Sequence, residues 1–188
     1  MTPDRMTAEE YRRTVCGAEK DPLRQLTGKR NKAQGEHFET RIMAACGWYK
    51  TAGVADIEKT PEPMKVAKRL DGNKFVAFFT KKAQPDFKGV MKGGRAVMFE
   101  AKHTTGDRID YSRVSHEQLT ALLSAERLGA LCFILVGFDR GDVYALPLKA
   151  WVGMERKYGR KYIRREECGG PVPQTAGVPL FLESEGLT

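Results

Sequence analysis

Apolar residues recur at two spacings along this chain, and these spacings predict its helices and strands. From residue 33 to residue 46 they fall at helical intervals, and Gly47 follows at a position typical of a helix end. Ser115-His116-Glu117-Gln118 has the form of a capping box, so a second helix is predicted from Ser115 to Gly129. Its apolar positions are Leu119, Leu122, Leu123 and Leu128.

Short apolar runs bounded by turn residues predict the strands. Runs at 65–70 and 73–79 flank Asp71-Gly72, which favours a hairpin that is either a sheet edge or a projecting arm. A strand near Val54, a more central hairpin over 87–100, and two strands at 130–137 and 143–146 are also predicted. With a helix over 148–158, this order predicts an α/β protein with a central mixed sheet flanked by helices.

The two ends of the chain do not share these patterns. Thr7-Ala8-Glu9-Glu10 predicts a short helix to about Cys16, and the basic segment from there to Lys32 is either a mobile arm or a solvated linker. Beyond Gly169, proline and glycine indicate an extended tail. We therefore predict a basic arm over 1–32, a main domain over 33–168 with an inserted hairpin at 64–79, and a tail over 169–188.

Charge and composition narrow the classes of partner. The 188 residues carry a formal net charge of +8 with a pI near 9.4. This balance favours a polyanionic partner. Nucleic acid is favoured over a membrane surface, because no basic amphipathic helix with a wide apolar face is evident. The four cysteines are scattered without metal-ligand spacing, which indicates reduced thiols. No apolar run approaches the roughly 20 residues that cross a bilayer, so we expect a soluble, cytoplasmic protein.

Two acidic residues and a lysine lie at the ends of predicted strands. Asp86 follows Gln84-Pro85 at the start of one strand, and Glu100-Ala101-Lys102 ends the next. Side chains alternate along a strand, so Glu100 and Lys102 lie on one face, about 6–7 Å apart. Two carboxylates can hold Mg²⁺, and the lysine can orient or deprotonate water or stabilise the transition state of phosphodiester hydrolysis. The alternative is that Lys102 is a surface charge at a strand end.

Basic and aromatic residues occur together in two other places. The hairpin at 64–79 combines lysines and an arginine with three phenylalanines, and the segment 156–165 has six basic residues and two tyrosines. Such mixtures suit contact with phosphates and unpaired bases. The predicted DNA-contacting residues are Lys65, Lys68, Arg69, Lys74, Lys81, Lys82, Arg160 and Lys161.

Motifs in a fixed order between residues 29 and 167 are similar to those of a known family. They are Gly35-x-x-Phe38-Glu39, Lys59-x-Pro61-x-Pro63, Asp86-Phe87-x-Gly89, Phe99-Glu100-Ala101-Lys102-x-Thr104, His116-x-Gln118 and Gly159-Arg160-Lys161-x-Ile163-Arg164. On these motifs the chain resembles the RecU family of Holliday junction resolvases. The resemblance implies a dimeric protein of the restriction-endonuclease-like fold, with the hairpin at 64–79 as an inserted stalk.

The resemblance also implies roles for single residues. Asp86 and Glu100 match metal-binding carboxylates, Lys102 the catalytic lysine, Gln118 a glutamine of the metal site, and Glu39 a first-helix glutamate that approaches it. Gln118 is also the N3 residue of the capping box, and the two roles are compatible because a helix N-terminus can face a phosphate. The alternative for Glu39 is a solvent-facing helix residue. Gln84 stands where the family has a hydroxyl residue of the metal site. Because its amide can still offer an oxygen, we predict altered metal geometry.

Residues and resemblance together predict a Mg²⁺-dependent endonuclease that resolves four-way DNA junctions. We expect Mn²⁺ to substitute, no other cofactor, and a homodimer that makes paired symmetric nicks in recombination and repair. Two alternatives stay open. One is another DNA endonuclease with the same site, of the nicking or restriction type, and the other is a non-cleaving, junction-binding accessory of recombination.

Overall fold

The computed structural model of the chain describes residues 22–61, 63–72, 74–79, 84–184 and 187. The short helix predicted to end near Cys16 and the predicted DNA contacts Lys81 and Lys82 lie outside these residues. The chain divides into two compact units, Met1–Gln34 and Gly35–Thr188, and all the described strands belong to the second. No helix in the described part is long and apolar enough to cross a membrane.

Helices and strands alternate irregularly along the chain. The helices are α1 (Pro22–Thr51), α2 (His116–Arg127), α3 (Leu148–Val152) and α4 (Met154–Tyr158). The strands are β1 (Ala55–Lys59), β2 (Met64–Arg69), β3 (Phe75–Phe79), β4 (Phe87–Met91), β5 (Ala96–Thr104), β6 (Arg108–Asp110), β7 (Leu131–Phe138), β8 (Val143–Pro147), β9 (Tyr162–Arg164), β10 (Gln174–Thr175) and β11 (Val178–Pro179).

The central sheet has the strand order β1-β4-β5-β7-β8. β1, β4 and β5 are antiparallel neighbours, β7 runs parallel to β5, and β8 returns antiparallel to β7. α2 lies in the crossover between β5 and β7, as a parallel pair requires. The predicted α/β architecture with a central mixed sheet is confirmed. The hairpin β2–β3 forms a separate two-stranded sheet, so it is not an edge of the central one.

Apolar layers cover both faces of the central sheet. On one face, α1 packs against phenylalanines of β4, β5 and β7; the residues are Phe38, Ile42, Tyr49, Phe87, Phe99 and Phe133. On the other face, α2 and α3 cover β7; the residues are Leu119, Leu122, Ile134, Val136 and Trp151. β7 is buried along its whole length, as expected for a strand with helices on both sides.

Aromatic packing on the α1 face fixes the register of the central strands. The rings of Phe87, Phe99 and Phe133 stack across β4, β5 and β7, with centroids 4.9 and 4.8 Å apart. Gly137 allows α1 to approach β7, because a Cβ at this position would lie 2.8 Å from the Phe38 ring. A one-residue slip of any strand would turn its phenylalanine to the opposite face. The register is therefore strongly specified where the polar side chains described below lie.

Helix α1 is longer than the sequence pattern predicted. It begins at Pro22, so the described residues up to Lys32 are helical rather than a mobile arm or linker. It also continues through Gly47, where a Cβ would meet no atom within 4 Å, and ends at Thr51. Gly53, with a φ of 66°, follows in the left-handed conformation typical of glycine after a helix.

Two predictions about the later helices are wrong in detail. Leu128 lies beyond the end of α2 and is 87% exposed, so it does not belong to the buried face of that helix. The single helix predicted over 148–158 is two short helices, α3 and α4, separated by Gly153.

The segment after Gly169 is not an extended tail. The Val172 N–H donates a hydrogen bond to the Val143 carbonyl at 2.8 Å, and the Leu182 N–H donates one to the Tyr49 hydroxyl at 2.9 Å. Phe181 is fully buried in the core on the α1 face. The described residues of this segment are therefore part of the folded unit.

Candidate active site

The register of β4 and β5 brings two carboxylates opposite each other. Phe87 pairs with Phe99 and Lys88 with Met98 in this antiparallel pair, so one step beyond Phe87 the register sets Asp86 opposite Glu100. Residues directly opposite in antiparallel strands share a face, with Cβ atoms about 4.5–5.5 Å apart. The Phe87 and Phe99 rings occupy the α1 face, so Asp86 and Glu100 lie on the α2 face.

Lys102 lies between the two carboxylates, as the alternation of β5 predicted. Its Nζ is 2.6 Å from Glu100 Oε2 and 3.1 Å from Asp86 Oδ2. The Ala101 N–H also donates a hydrogen bond to Asp86 Oδ2, at 3.1 Å. Glu100 is fully buried and Asp86 is only 9% exposed. The interpretation of Lys102 as a surface charge is therefore wrong.

Gln118 is brought to the same group by the first turn of α2. The Ser115 hydroxyl accepts a hydrogen bond from the Gln118 N–H, and Gln118 Oε1 accepts one from the Ser115 N–H, which completes the capping box. The Gln118 Nε2 donates to Glu100 Oε2 at 2.7 Å. Gln118 thus caps the helix and orients Glu100 with the same amide group.

Burial and mutual contact shift the pKa values of the two carboxyl groups in opposite directions. Burial, together with the hydrogen bond to Asp86, raises the pKa of Glu100 to about 8. Burial acts in the same direction on Asp86, but the Glu100 hydrogen bond, the Lys102 charge and the Ala101 N–H outweigh it and lower the pKa of Asp86. Burial disfavours the charged form of Lys102, but both carboxylates outweigh it and raise its pKa. At neutral pH the three groups therefore hold one proton on Glu100, an ionised Asp86 and a charged lysine.

The donor set fits a hard divalent cation that keeps several waters. Glu100 Oε1 is buried and accepts no hydrogen bond from an N–H or hydroxyl donor of the described residues, which leaves this oxygen for a cation once the carboxyl group is ionised. No group of three His, Cys, Asp or Glu side chains in the described part forms a complete ligand set. Two carboxylates plus water are the usual protein ligands of Mg²⁺, whereas a softer metal would require histidine or cysteine.

Glu39 and Gln84 do not join this group in the structure. The Glu39 carboxylate forms an ion pair with Lys59, which lies opposite Phe87 and so on the α1 side of the sheet. Gln84 is exposed, and its Oε1 accepts a hydrogen bond from Lys88 Nζ at 3.2 Å. Their roles at a metal site remain predictions that this geometry does not favour.

The predicted DNA contacts fall into two kinds. Lys65, Lys68, Arg69 and Lys74 are exposed on the hairpin β2–β3. Arg160 differs, because its guanidinium pairs with both oxygens of Glu167 and lies between the rings of Tyr158 and Tyr162, 4.9 and 4.7 Å from their centroids. Neighbouring Lys161 is exposed, and its Nζ lies 3.5 Å from Glu155 Oε2. The hairpin cations are therefore accessible, whereas Arg160 is engaged by its own chain.

The backbone amide of Ala101 is a part of the site that the sequence did not indicate. Its contact with Asp86 depends on the pairing of β4 with β5, and a main-chain N–H has no signature in a sequence. Lys59 was also missed as the partner of Glu39, although Lys59 belongs to a motif that carried the resemblance.

Fold and site together define an α/β protein with a buried carboxylate–lysine centre suited to metal-assisted phosphodiester hydrolysis. A model of the recombination protein U (RecU) family matches residues 33–172 of the chain. Because this match covers well over half of its 188 residues, the chain belongs to the recombination protein U family.

Known relatives are similar to this chain over part of its length. Holliday junction resolvase RecU of Pediococcus pentosaceus is 29% identical over 131 residues, which cover 66% of this chain and 63% of the relative. The protein of the same name from Lactococcus lactis subsp. lactis is 32% identical over 121 residues, which cover 61% of this chain and 56% of the relative. The chain thus spans less than two thirds of the length of these relatives. The solved structure of Hjc, a Holliday junction resolvase from Archaeoglobus fulgidus, is 15% identical with a TM-score of 0.46, over 74% of this chain and 90% of Hjc.

Proposed function

We propose that this chain is a divalent-metal-dependent endonuclease that resolves four-way DNA junctions. The observation that carries the proposal is the buried Asp86–Glu100 pair, which shares Lys102 and is oriented by Gln118. A net charge of +8 suits a polyanionic substrate. Both of the relatives compared above are named Holliday junction resolvases, which supports a junction as the substrate.

Asp86 and Glu100 would hold the cation through their carboxylate oxygens. A bound Mg²⁺ supplies Lewis-acid stabilisation of the phosphate and lowers the pKa of a bound water, and Mn²⁺ prefers similar oxygen ligands and can replace it. Metal binding requires the Glu100 proton to leave, because a carboxylate ligand must be ionised.

Lys102 would supply a positively charged donor to the site, and Gln118 would hold Glu100 in position. Lys102 Nζ, now hydrogen-bonded to both carboxylates, is the donor available to a scissile phosphate on this face, where it would stabilise developing negative charge. Gln118 holds Glu100 in one orientation, and its position in the first turn of α2 keeps the positive end of the helix dipole beside the site.

Selection of a junction would rest on phosphate contacts and DNA shape more than on base reading. We assign the phosphate contacts first to the exposed cations of β2–β3, namely Lys65, Lys68, Arg69 and Lys74. A two-fold homodimer would present two sites to a two-fold substrate and so make paired symmetric nicks. We place this reaction in recombination and repair in the cytoplasm.

A cleavage assay on paired substrates tests this proposal. The purified chain is incubated with a synthetic four-way junction, or with a linear duplex of the same arm sequence, in Mg²⁺, Mn²⁺ or EDTA. We expect symmetric nicks on the junction, much slower cleavage of the duplex, and no cleavage in EDTA. Equal cleavage of both DNAs would contradict the junction assignment. Binding without cleavage in either metal would indicate a non-cleaving accessory.

A further inference from the structure

Thr60 lies in the same cross-strand row as the two carboxylates. β1 pairs with β4 so that Lys59 lies opposite Phe87, and one step further the Thr60 N–H donates a hydrogen bond to the Asp86 carbonyl at 2.8 Å. The two β-ladders therefore align Thr60, Asp86 and Glu100 across β1, β4 and β5. Residues opposite each other in antiparallel strands share a face, so the Thr60 and Asp86 side chains are neighbours on the α2 face.

The Thr60 hydroxyl is buried without a partner. Thr60 is 4% exposed, and its Oγ1 has no hydrogen-bond partner among the described residues. A buried hydroxyl without a partner costs free energy, and such a group in a folded protein commonly marks a bound water or ion. Glu100 Oε1, in the same row, is also buried and accepts no hydrogen bond from an N–H or hydroxyl donor of the described part. Asp86 thus lies between a buried hydroxyl without a partner and a carboxyl oxygen that is free to bind a cation once Glu100 is ionised.

We infer that Thr60 is a positioning residue of the metal site, and that its hydroxyl binds a water of the hydrated cation held by Asp86 and Glu100. A hydroxyl can accept from one water and donate to another, so it suits the outer hydration of a cation that keeps several waters. The inference rests on the proposed function, because it requires a cation at the two carboxylates. It adds the residue that follows β1 to a site otherwise built from the residue before β4, from β5 and from α2.

Cation binding without DNA tests this role directly. Isothermal titration of the full chain with Mn²⁺ alone would compare the wild type with Thr60→Val, Thr60→Ser and the exposed control Thr175→Val. Loss of an outer-shell partner typically weakens metal binding about 10–100-fold, and we expect about tenfold for Thr60→Val. Thr60→Ser keeps the hydroxyl and should stay within about threefold of wild type, as should the control, where no outer-shell partner is lost.

Thermal unfolding of the metal-free proteins separates this role from a structural one. Valine matches the shape of threonine without the unpaired hydroxyl, so metal-free Thr60→Val should melt no lower than wild type. A lower melting temperature in Thr60→Val, but not in Thr175→Val, would show that the hydroxyl has a protein partner and would overturn the inference.

The titration also separates this inference from the proposed function. If wild type and Thr60→Val bind Mn²⁺ equally, the role of Thr60 is wrong while the metal site stands. If wild type binds neither Mn²⁺ nor Mg²⁺, the proposed metal-dependent function fails, and the role of Thr60 fails with it.

Discussion

Single side chains determine the chemistry of this site, because Asp86 and Glu100 face each other across two strands and share one lysine. Their contacts leave Asp86 ionised and Glu100 protonated near neutral pH. A divalent cation would supply the positive charge that allows both carboxyl groups to ionise. The site in the metal-free chain is therefore set for metal binding coupled to proton release.

Removing the ammonium group of Lys102 should abolish most cleavage. Lys102→Met keeps the length of the side chain but removes the donor that lies between the two carboxylates. We expect the single-turnover nicking rate to fall by about 10²-fold or more, with junction affinity nearly unchanged. The exposed turn residue Lys92 provides the control Lys92→Met, which should nick at the wild-type rate. A nicking rate within a few-fold of wild type for Lys102→Met would remove this lysine from the mechanism.

The raised pKa of Glu100 predicts how the metal-free protein responds to pH. Folding raises this pKa above its ordinary value of about 4.3, so the contribution of Glu100 to stability is full below that pH and is lost as pH rises toward about 8. Glu100→Gln, which stays neutral, should therefore gain melting temperature relative to wild type between pH 5 and 8. Melting curves of the two proteins across this range check the sign. A difference that stays constant with pH would contradict the raised pKa.

The same proton couples pH to metal affinity. Each cation bound must displace the proton of Glu100, so apparent affinity for Mg²⁺ should rise with pH by up to about tenfold per unit until pH 8 and then level off. Titrations at several pH values in buffers of different ionisation enthalpy would count the released protons.

Sequence reasoning correctly placed the residues whose position follows from strand alternation or from a capping box. It could not place residues whose side chains are held by partners distant in the sequence or by the pairing of several strands. Strand alternation paired Glu100 with Lys102, and the capping box placed Gln118 in the first turn of α2. Gln84 and Arg160 could not be judged in this way, because Lys88 and Glu167 engage them only in the folded chain. Thr60 required the register of three strands, which no single stretch of sequence contains.

At the scale of elements, hydrophobic periodicity located the central strands but not the ends of the helices. Gly47 resembled a helix end, yet α1 continues past it because nothing in the fold requires the chain to turn there. The Pro- and Gly-rich segment after Gly169 resembled a tail, yet Phe181 and Val172 fill the core beneath α1. Contacts between residues far apart in the sequence determined both the end of α1 and the burial of this segment. A local sequence pattern contains no information about such contacts.

The cap of α2 should contribute to stability through one hydroxyl. Ser115→Ala removes the acceptor of the Gln118 N–H, and we expect it to lower the free energy of unfolding by about 1 kcal/mol. Ser124→Ala, at an exposed position inside the same helix, should be neutral or slightly stabilising because alanine has the higher helix propensity. Urea denaturation of both variants makes the comparison. Equal effects would mean that the capping bond contributes nothing.

The hairpin β2–β3 should serve DNA binding rather than the stability of the core, because it forms its own two-stranded sheet. Replacing Lys65, Lys68, Arg69 and Lys74 with alanine should weaken junction binding. It should also reduce the slope of log affinity against log salt by up to about 0.9 for each lost phosphate contact. The melting temperature should change little. An unchanged salt slope would exclude these cations from the DNA interface.

At the scale of the whole molecule, a mixed sheet, a carboxylate–lysine centre and an excess of positive charge support one proposed activity. The recombination protein U family match covers the central sheet, the candidate site and the hairpin. The proposed homodimer follows from the symmetry of a four-way junction, since two nicks related by a two-fold axis require two related sites.

The most direct test of the central claim is the nicking rate of Asp86→Asn on a four-way junction in Mg²⁺, measured beside wild type with junction binding recorded in the same samples. Asparagine preserves the shape of the side chain but removes the charge that Lys102 and the Ala101 N–H now stabilise. We predict that Asp86→Asn binds the junction as wild type does and produces no nicks above the metal-free background. Symmetric nicking by Asp86→Asn at the wild-type rate would contradict the proposed metal-dependent mechanism.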